Sequence, residues 1–342
     1  MKENGKGRKK RWIILSSVLA FILLLAGAGI GIFEHFYSRT NYVPEGETYI
    51  PTTPETTETT TEKEIEEGVD YSIVDTTSVE ETTTRKETEV QIRKTGVMNV
   101  LLIGIDIGSG IGNSDAMILC SVNYDTGKIW LTSIMRDIEA DIPGYKVSKI
   151  NGATIVGGPT LLVETLENLL GLKIHHFGMV DIQGMRDVIN ALGGVDLNVT
   201  VDEAAYMGFE LRQDMLVHLD GRLALKYARN RTTPGEGGSS DFGRTQRQRN
   251  VLMAIARKAK KGGLGDLTEA AEAILPHITH DFKRTEIIEL FTELPSLVAM
   301  EFNQQRLPYE GLYSFSNENI LLDVDATMEK FYQTVYEGSK EQ

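Results

Sequence analysis

The chain holds a single cysteine, Cys120, in 342 residues. One thiol cannot close an intrachain disulfide, which excludes a disulfide-stapled secreted fold. Cys120 lies in the apolar run "AMILCSV", where cysteine serves as a small buried hydrophobe and nothing nearby lowers its pKa. No G-x-S-x-G elbow is present, so the serine-hydrolase reading has no nucleophile to stand on. His175 and His176 are adjacent, and on a strand they point to opposite faces and cannot chelate one metal together. His218, His277 and His280 form no ligand spacing with a neighbouring carboxylate. Internal repeats are absent too.

Positive charge is scarce and badly distributed. Lys and Arg total 35 against 49 Asp and Glu, for a net charge of -14. Residues 1–11 carry six Lys or Arg against one Glu, whereas residues 40–90 carry fourteen Asp or Glu against three Lys or Arg. Such asymmetry belongs to a modular chain. The excess of negative charge disfavours nucleic acid as a partner.

The first module is a basic tail, residues 1–11. The run "WIILSSVLAFILLLAGAGIGIF", Trp12 to Phe33, then offers 22 residues without a charge. As a helix it reaches roughly 33 Å, enough for a hydrocarbon core of about 30 Å. The basic flank places the N-terminus in the cytoplasm and everything after Phe33 outside. A cleaved signal peptide has a shorter apolar region and a small-x-small site, so a retained single-pass anchor is the expectation. Residues 34–95 are rich in Thr and Glu and poor in large apolar side chains, which predicts a disordered linker acting as a spacer. Residues 96–342 have the composition of a globular domain.

Within that domain "VMNVLLIGI", "AMILCSVNY" and "KIWLTSIM" read as buried strands. The turn "DTGK" makes the last two antiparallel. "GPTLLVETLENLLGL" reads as a helix with Pro159 at its start and Gly171 at its end. "IQGMRDVINAL", "DGRLALKYA" and "RTQRQRNVLMAIARKAKKG" read as further helices, with weaker ones near 266–275, 284–299 and 325–337. Alternating strands and helices with one hairpin predict an α/β fold on a mixed sheet.

The loop "GIDIGSGIGNSD", Gly104 to Asp115, matches neither G-x-G-x-x-G nor a G-K-[ST] phosphate loop. It leads into a strand, so no helix N-terminus is there to receive a phosphate. Its two carboxylates, Asp106 and Asp115, end one strand and begin the next. Taken alone, the loop leaves a Mg²⁺ or Ca²⁺ site and a plain turn both open. Arginines tilt the balance. Arg136-Asp137 closes the third strand, "YARNR" supplies Arg229 and Arg231, and "DFGRTQRQ" supplies Asp241, Arg244, Arg247 and Gln248. Arg244 and Arg247 are i,i+3 neighbours on a helix, while Arg249 falls on another face, expected to be solvated. Arginine's planar fork suits bidentate phosphate binding. A merely solvated face would accept lysine equally well.

The blocks "NVLLIGID…SDAMIL", "LTSIMRD", "KINGA…GGP", "ALGGVDLNV", "LDGRLALKYARNR" and "DFGRTQRQ" run in order over about residues 97–260. Together they resemble the LytR–CpsA–Psr (LCP) family. The resemblance implies an α/β/α sandwich outside a Gram-positive cell membrane. It implies a phosphotransferase that moves an anionic glycopolymer, teichoic acid or capsular polysaccharide, from an undecaprenyl-pyrophosphate carrier to peptidoglycan. Asp106 and Asp115 match the family's divalent-metal aspartates, with Mg²⁺ as the expected cofactor. Arg136, Arg229, Arg231, Arg244 and Arg247 match its pyrophosphate-binding arginines, with Gln248 beside them. Asp137 and Asp241 match positions that orient those arginines. The catalytic set is then Asp106, Arg136, Arg229 and Arg244, with Asp106 the candidate general base. Two departures stand out: Asn113-Ser114-Asp115 replaces the usual Arg-Ser-Asp, and Ile105 and Ile107 flank Asp106. One phosphate-directed arginine is therefore missing. That keeps open a non-catalytic wall-polymer binding or regulatory protein, and, as a variant of the transferase, a pyrophosphatase using water. The insert "TTPGEGGSS" before Asp241 reads as a flexible lip over the site. Helix 159–170 and Val251 to Ala256 are apolar stretches available to a lipid carrier.

Overall fold

The computed structural model describes residues 34, 37–47, 96–106, 113–234, 240–261, 273 and 275–337. The basic tail, the apolar run 12–33, the loop interior 107–112, the lip at 235–239 and nearly all of the helix expected near 266–275 lie outside the described residues. Among the described residues no helix is long and apolar enough to cross a membrane.

The chain first forms β1 (Asn41–Tyr42), β2 (Val97–Asp106), β3 (Asn113–Asn123), β4 (Lys128–Ile134), β5 (Glu139–Asp141) and β6 (Val147–Lys149). Next come α1 (Gly152–Leu170), β7 (His176–Asp181), α2 (Ile182–Ala191), β8 (Val195–Val199), α3 (Val201–Met207), β9 (Met215–Leu219), α4 (Gly221–Ala228) and α5 (Asp241–Lys261). The last part is β10 (Ile278–His280), α6 (Arg284–Ala299), β11 (Glu301–Leu307), β12 (Tyr313–Ser316), β13 (Asn319–Leu322) and α7 (Val324–Val335).

Seven strands build one mixed sheet in the order β1-β10-β7-β2-β3-β4-β11. β2, β3 and β4 form an antiparallel meander, with β7 parallel to β2 and β11 parallel to β4. The turn between β3 and β4 is the one the "DTGK" reading requires: Asn123 faces Lys128, Gly127 takes φ 67°, and the Asn123 carboxamide accepts the Thr126 N–H at 3.1 Å. Strand period sorts the β2 side chains between two cores. Leu101, Ile103 and Ile105 pack with Leu162 and Leu166 of α1 and Phe331 of α7 on one face. Met98 and Val100 meet Leu252 of α5 and Leu290 of α6 on the other. Helices thus cover both faces of a mixed sheet. Cys120 is part of the second core, and desolvation pushes its thiol up to about 12, so it carries no thiolate at neutral pH. A third cluster, with Val195, Leu197, Ala204 and Tyr227, joins α2, α3, α4 and α5 around the β8–β9 hairpin.

The helix read from Pro159 to the αL cap at Gly171 is present, and a further helical piece from Gly152 precedes it, the two divided at Gly158 with φ 68° and ψ -165°. Two expectations need correction. Arg249, expected in solvent, is 3% exposed and donates from Nη2 to Gln246 Oε1. The linker expected over residues 34–95 is not a continuous spacer. Asn41 and Tyr42 pair with Thr279 and His280 at the sheet edge, and Val43 and Tyr37 are buried. Glu34 is held by Arg284 at 2.9 Å, and the Glu47 carbonyl accepts the Thr160 hydroxyl at 3.1 Å. Residues 37–47 belong to the folded unit because they complete an otherwise open edge and fill the core beside it.

Removing residues 1–47, compared with removing residues 1–33, is expected to lower the thermal midpoint of the soluble domain by about 5 °C or more, since a buried valine and an edge strand go with it. Calorimetry of the two truncations checks this. Acid should weaken the same edge. His280 is buried among Tyr37, Tyr42, Phe282 and His176, with Asp281 next to it and Thr40 Oγ1 2.9 Å from its Nε2. Desolvation holds its pKa below the ordinary histidine value. The unfolded chain then binds the proton more readily, so stability present above about pH 6.5 falls as pH drops below it. Thermal midpoints measured from pH 7.5 to 5.5 should decline, and His280→Gln should flatten that decline.

Candidate functional site

Three strand ends meet at one edge of the sheet. β2 finishes at Asp106, β3 starts at Asn113, and β4 runs into Met135, Arg136 and Asp137. The β2–β3 ladder is irregular there: Gly104 faces Ala116, but Ile105 faces Ser114. Asp115 is the extra residue on β3, a bulge that re-aims its side chain. Gly104 suits the spot because an added Cβ would lie 3.2 Å from the Ala116 Cβ. Ser114, one residue earlier, is buried and accepts the Thr154 hydroxyl of α1 at 3.0 Å, which pins the strand start.

Asp115 Oδ1 receives two guanidinium groups, Arg136 Nη1 at 2.8 Å and Arg244 Nη1 at 3.5 Å. Arg244, in the first turns of α5, also holds Asp241 Oδ1 at 2.9 Å, and Arg231 Nε reaches the same oxygen at 3.5 Å. The result is an alternating series: Arg136, Asp115, Arg244, Asp241, Arg231. Arg244 is 3% exposed. Desolvation lowers its pKa from the ordinary guanidinium value, and Arg231 and Arg136 push the same way against Asp241 and Asp115. The Nε atoms of Arg136 and Arg244 are buried without a hydrogen-bond partner among the described residues. Both belong to guanidinium groups that pair through Nη1 with the partly exposed Asp115 carboxylate. Gln248 lies one turn along α5, its Nε2 3.5 Å from the Asp115 carbonyl oxygen.

Other expected residues sort differently. Arg229 caps the end of α4 and is exposed. Asp137 lies 3.9 Å from Arg136 Nε but only 3.0 Å from Lys149 Nζ. Lys149, at the end of β6 inside the block "KINGA", is a cation of this edge that the sequence reading passed over. Its signal was a lysine closing a strand directly before the helix start at Asn151-Gly152. Asp106 shares the edge through its backbone, opposite Asn113.

Arg247 turns away from this series. It is 1% exposed, its Nε bonds Glu203 Oε1 at 2.6 Å, and its Nη atoms donate to the carbonyls of Asn230 and Thr233 at 3.0 and 2.9 Å. Glu203 Oε2 meanwhile accepts the Thr200 N–H in the capping box of α3. The buried Asn230 carboxamide accepts the N–H groups of Thr232 and Thr233. Arg247 therefore ties α5 to α3 and to the 230–233 loop that carries Arg231. Its guanidinium is committed to the fold rather than presented to a phosphate, contrary to the expectation from sequence.

The fold and the site define a class: a helix-covered mixed sheet that gathers interleaved arginines and aspartates at one edge. Residues 56–335 match the LytR_cpsA_psr family, and the chain belongs to it. TagU of Oceanobacillus iheyensis, a polyisoprenyl-teichoic acid–peptidoglycan teichoic acid transferase, is 36% identical over 197 residues, covering 56% of this chain and 59% of that protein. The regulatory protein MsrR of Staphylococcus aureus is 35% identical over 170 residues, 49% of this chain and 50% of that one. The chain thus spans about half to three fifths of these relatives' length. A structure of TagT bound to LI-WTA aligns with a TM-score of 0.58 over 72% of this chain and 94% of that one, at 23% identity. At that identity the likeness speaks for the fold alone.

Arg247→Met is expected to cost about 3–5 kcal/mol, because it leaves the buried Glu203 carboxylate without its partner. Urea unfolding measures it. A double change of Arg247→Met with Glu203→Gln should recover part of that loss.

Proposed function

We propose that this chain transfers an anionic glycopolymer from an undecaprenyl-pyrophosphate carrier to peptidoglycan, on the outer face of a membrane to which residues 12–33 anchor it. The observation that carries this reading is the series Arg136–Asp115–Arg244–Asp241–Arg231, with buried unpartnered Nε donors on two of its arginines. A diphosphate adds negative charge where Arg231 and Arg136 repel Arg244. Arginine forks supply paired N–H donors for phosphate oxygens.

The donor set also suits a divalent cation. Among the described residues both ion pairs of Asp115 fall on Oδ1, which leaves Oδ2 for another partner. No group of three or more His, Cys, Asp or Glu side chains is placed to hold a metal among the described residues. Mg²⁺ needs only one or two carboxylates when phosphate oxygens and water complete its shell. Asp106 and Asp115 would hold it, and when bound it supplies neutralisation of diphosphate charge. The remaining work belongs to the chain. Arg136, Arg231, Arg244 and the exposed Arg229 bind the diphosphate and steady its in-line geometry. A muramic-acid hydroxyl bonds to the phosphorus that carries the polymer. The bond from that phosphorus to the bridging oxygen breaks, and undecaprenyl phosphate leaves with the electron pair. The hydroxyl proton passes to a base, for which Asp106 is the candidate. Asp137 and Asp241 keep the neighbouring cations in place.

A binding or regulatory role without turnover is favoured by one feature, Asn113 in place of the family's usual arginine. A charge-assisted hydrogen bond contributes about 1.5–3 kcal/mol, so its absence slows transfer without removing the rest of the cluster. Turnover decides between the readings. Full-length protein in detergent with Mg²⁺ and polymer-linked undecaprenyl pyrophosphate should release the carrier phosphate and label peptidoglycan. Arg136→Ala should weaken donor binding about tenfold or more with an unchanged thermal midpoint. Donor affinity equal to wild type in that variant would sink the assignment of this edge, and tight binding with no product would leave the regulatory reading in its place.

A further inference from the structure

One more guanidinium stands at this edge of the sheet, that of Arg306 on β11. β11 runs parallel to β4, with Ser133 facing Arg306 and Ile134 facing Leu307. The Met135 N–H donates to the Leu307 carbonyl at 3.1 Å, so the pairing continues to the residue before Arg136. Arg306 does not join the arginine series among the described residues. Its guanidinium lies over the Phe242 ring, 4.1 Å from the centroid, and its Nη2 meets Glu310 at 3.0 Å. Phe242 follows Asp241 in the first turn of α5 and precedes Arg244 by two residues. A cation over an aromatic face is attracted by the ring quadrupole.

A second contact joins the same two elements. Gln246 Nε2 donates to Gln304 Oε1 at 3.1 Å. Gln304 and Arg306 are two apart on a strand and share a face. Phe242 and Gln246 are four apart on a helix and share a face. The two spacings agree, about 6.6 Å along the strand against about 6.0 Å along the helix. β11 therefore meets the start of α5 at two points in register. Phe242 also packs against the first core, with the Tyr313 ring 6.1 Å away. The polar sequence "EFNQQRL" thereby acquires a reason, since two of its polar side chains face a helix.

The register matters because the two arginines on Asp115 come from different elements. Arg136 follows β4 and Arg244 belongs to α5, and both reach Asp115 Oδ1. β11 is bonded to β4 along its length and holds α5 through Phe242 and Gln246. Arg244 Nη1 is already 3.5 Å from Asp115, so a small slip of α5 parts them while Arg136 stays in place. The other tie of Arg306 is weak, because the side chain of Glu310 is 81% exposed. Resting on the transferase reading above, we infer that Arg306 is a positioning residue. With Gln304 it registers the start of α5 on β11, and so sets Arg244 against Arg136 for the diphosphate.

The test uses the full chain in detergent, with calorimetric titration of inorganic pyrophosphate and Mg²⁺ and with amide hydrogen exchange as a second readout. Arg306→Gln should weaken pyrophosphate about fivefold and speed exchange at residues 244–248, with a thermal midpoint within about 3 °C of wild type. Arg306→Lys, which returns a cation to the ring, should recover most of the affinity. In a Phe242→Leu background, Arg306→Gln should cost less than about twofold more, because the ring it acts through is gone. Three results overturn the inference. One is affinity and exchange both unchanged in Arg306→Gln. Another is additive losses in the double variant, which mean direct contact with the anion. The third is exchange raised evenly over the whole domain. If wild type ignores pyrophosphate while exchange at 244–248 still depends on Arg306, the registration of α5 stands and the diphosphate reading fails.

Discussion

Guanidinium groups repel one another, and a fold that gathers them at one edge must interleave acids between them. Asp115 does this for Arg136 and Arg244, and Asp241 does it for Arg244 and Arg231. Each carboxylate compensates its neighbours incompletely. Burial and the flanking cations still hold the Arg244 pKa below its ordinary value, so the cluster retains an appetite for further negative charge. A fully neutralised edge would be stable and inert; an uncompensated one would open to water. On the proposed reading a multiply charged anion completes what the aspartates leave unfinished.

The backbone makes that compromise at a bulge. A regular β2–β3 ladder would carry the alternation of side chains unbroken to the strand ends. The extra residue at Asp115 interrupts the alternation and lets that one carboxylate meet an arginine from β4 and another from α5. The rest of the edge is held stiffly. Thr154 grips Ser114 from α1, and Arg247 locks the 230–233 loop against α5 and α3. Arg247 and Arg244 are three residues apart and both buried, but Arg247 pairs with Glu203 and two loop carbonyls whereas Arg244 pairs with Asp115 and Asp241 at the strand ends.

That division shows where sequence ceased to be legible. The strands β2 to β4, the turn at 124–127 and the Gly171 cap were readable because aliphatic runs, turn residues and glycine obey local rules. The meeting of Arg136 with Asp115 followed from those strands once they formed a meander. Spacing could place Arg244 and Arg247 on neighbouring helical positions, but which one joins the Asp115 series depends on Glu203 in α3, some forty residues away and cued only by its Thr200 capping box. The solvated reading of Arg249 failed for a similar reason, since Leu252 and Met253, three and four residues further along the same helix face, pack against the second core. β11, with its polar sequence "EFNQQRL", gave no strand signal, because an edge strand beside β4 needs only half its residues covered. The metal role expected of Asp106 and Asp115 and the transfer chemistry rest on family resemblance, and no local rule yields them.

The N-terminal segment shows how topology overrules composition. The Thr- and Glu-rich stretch was read as a spacer, and composition alone supports that reading. Yet residues 37–47 are packed on the domain, with Val43 in the core and Tyr42 paired to His280, and β2 resumes the same sheet at Val97. The Arg284 guanidinium grips Glu34 and lies over the Tyr37 ring at 4.8 Å, so the folded unit takes hold of the chain well ahead of Gly96.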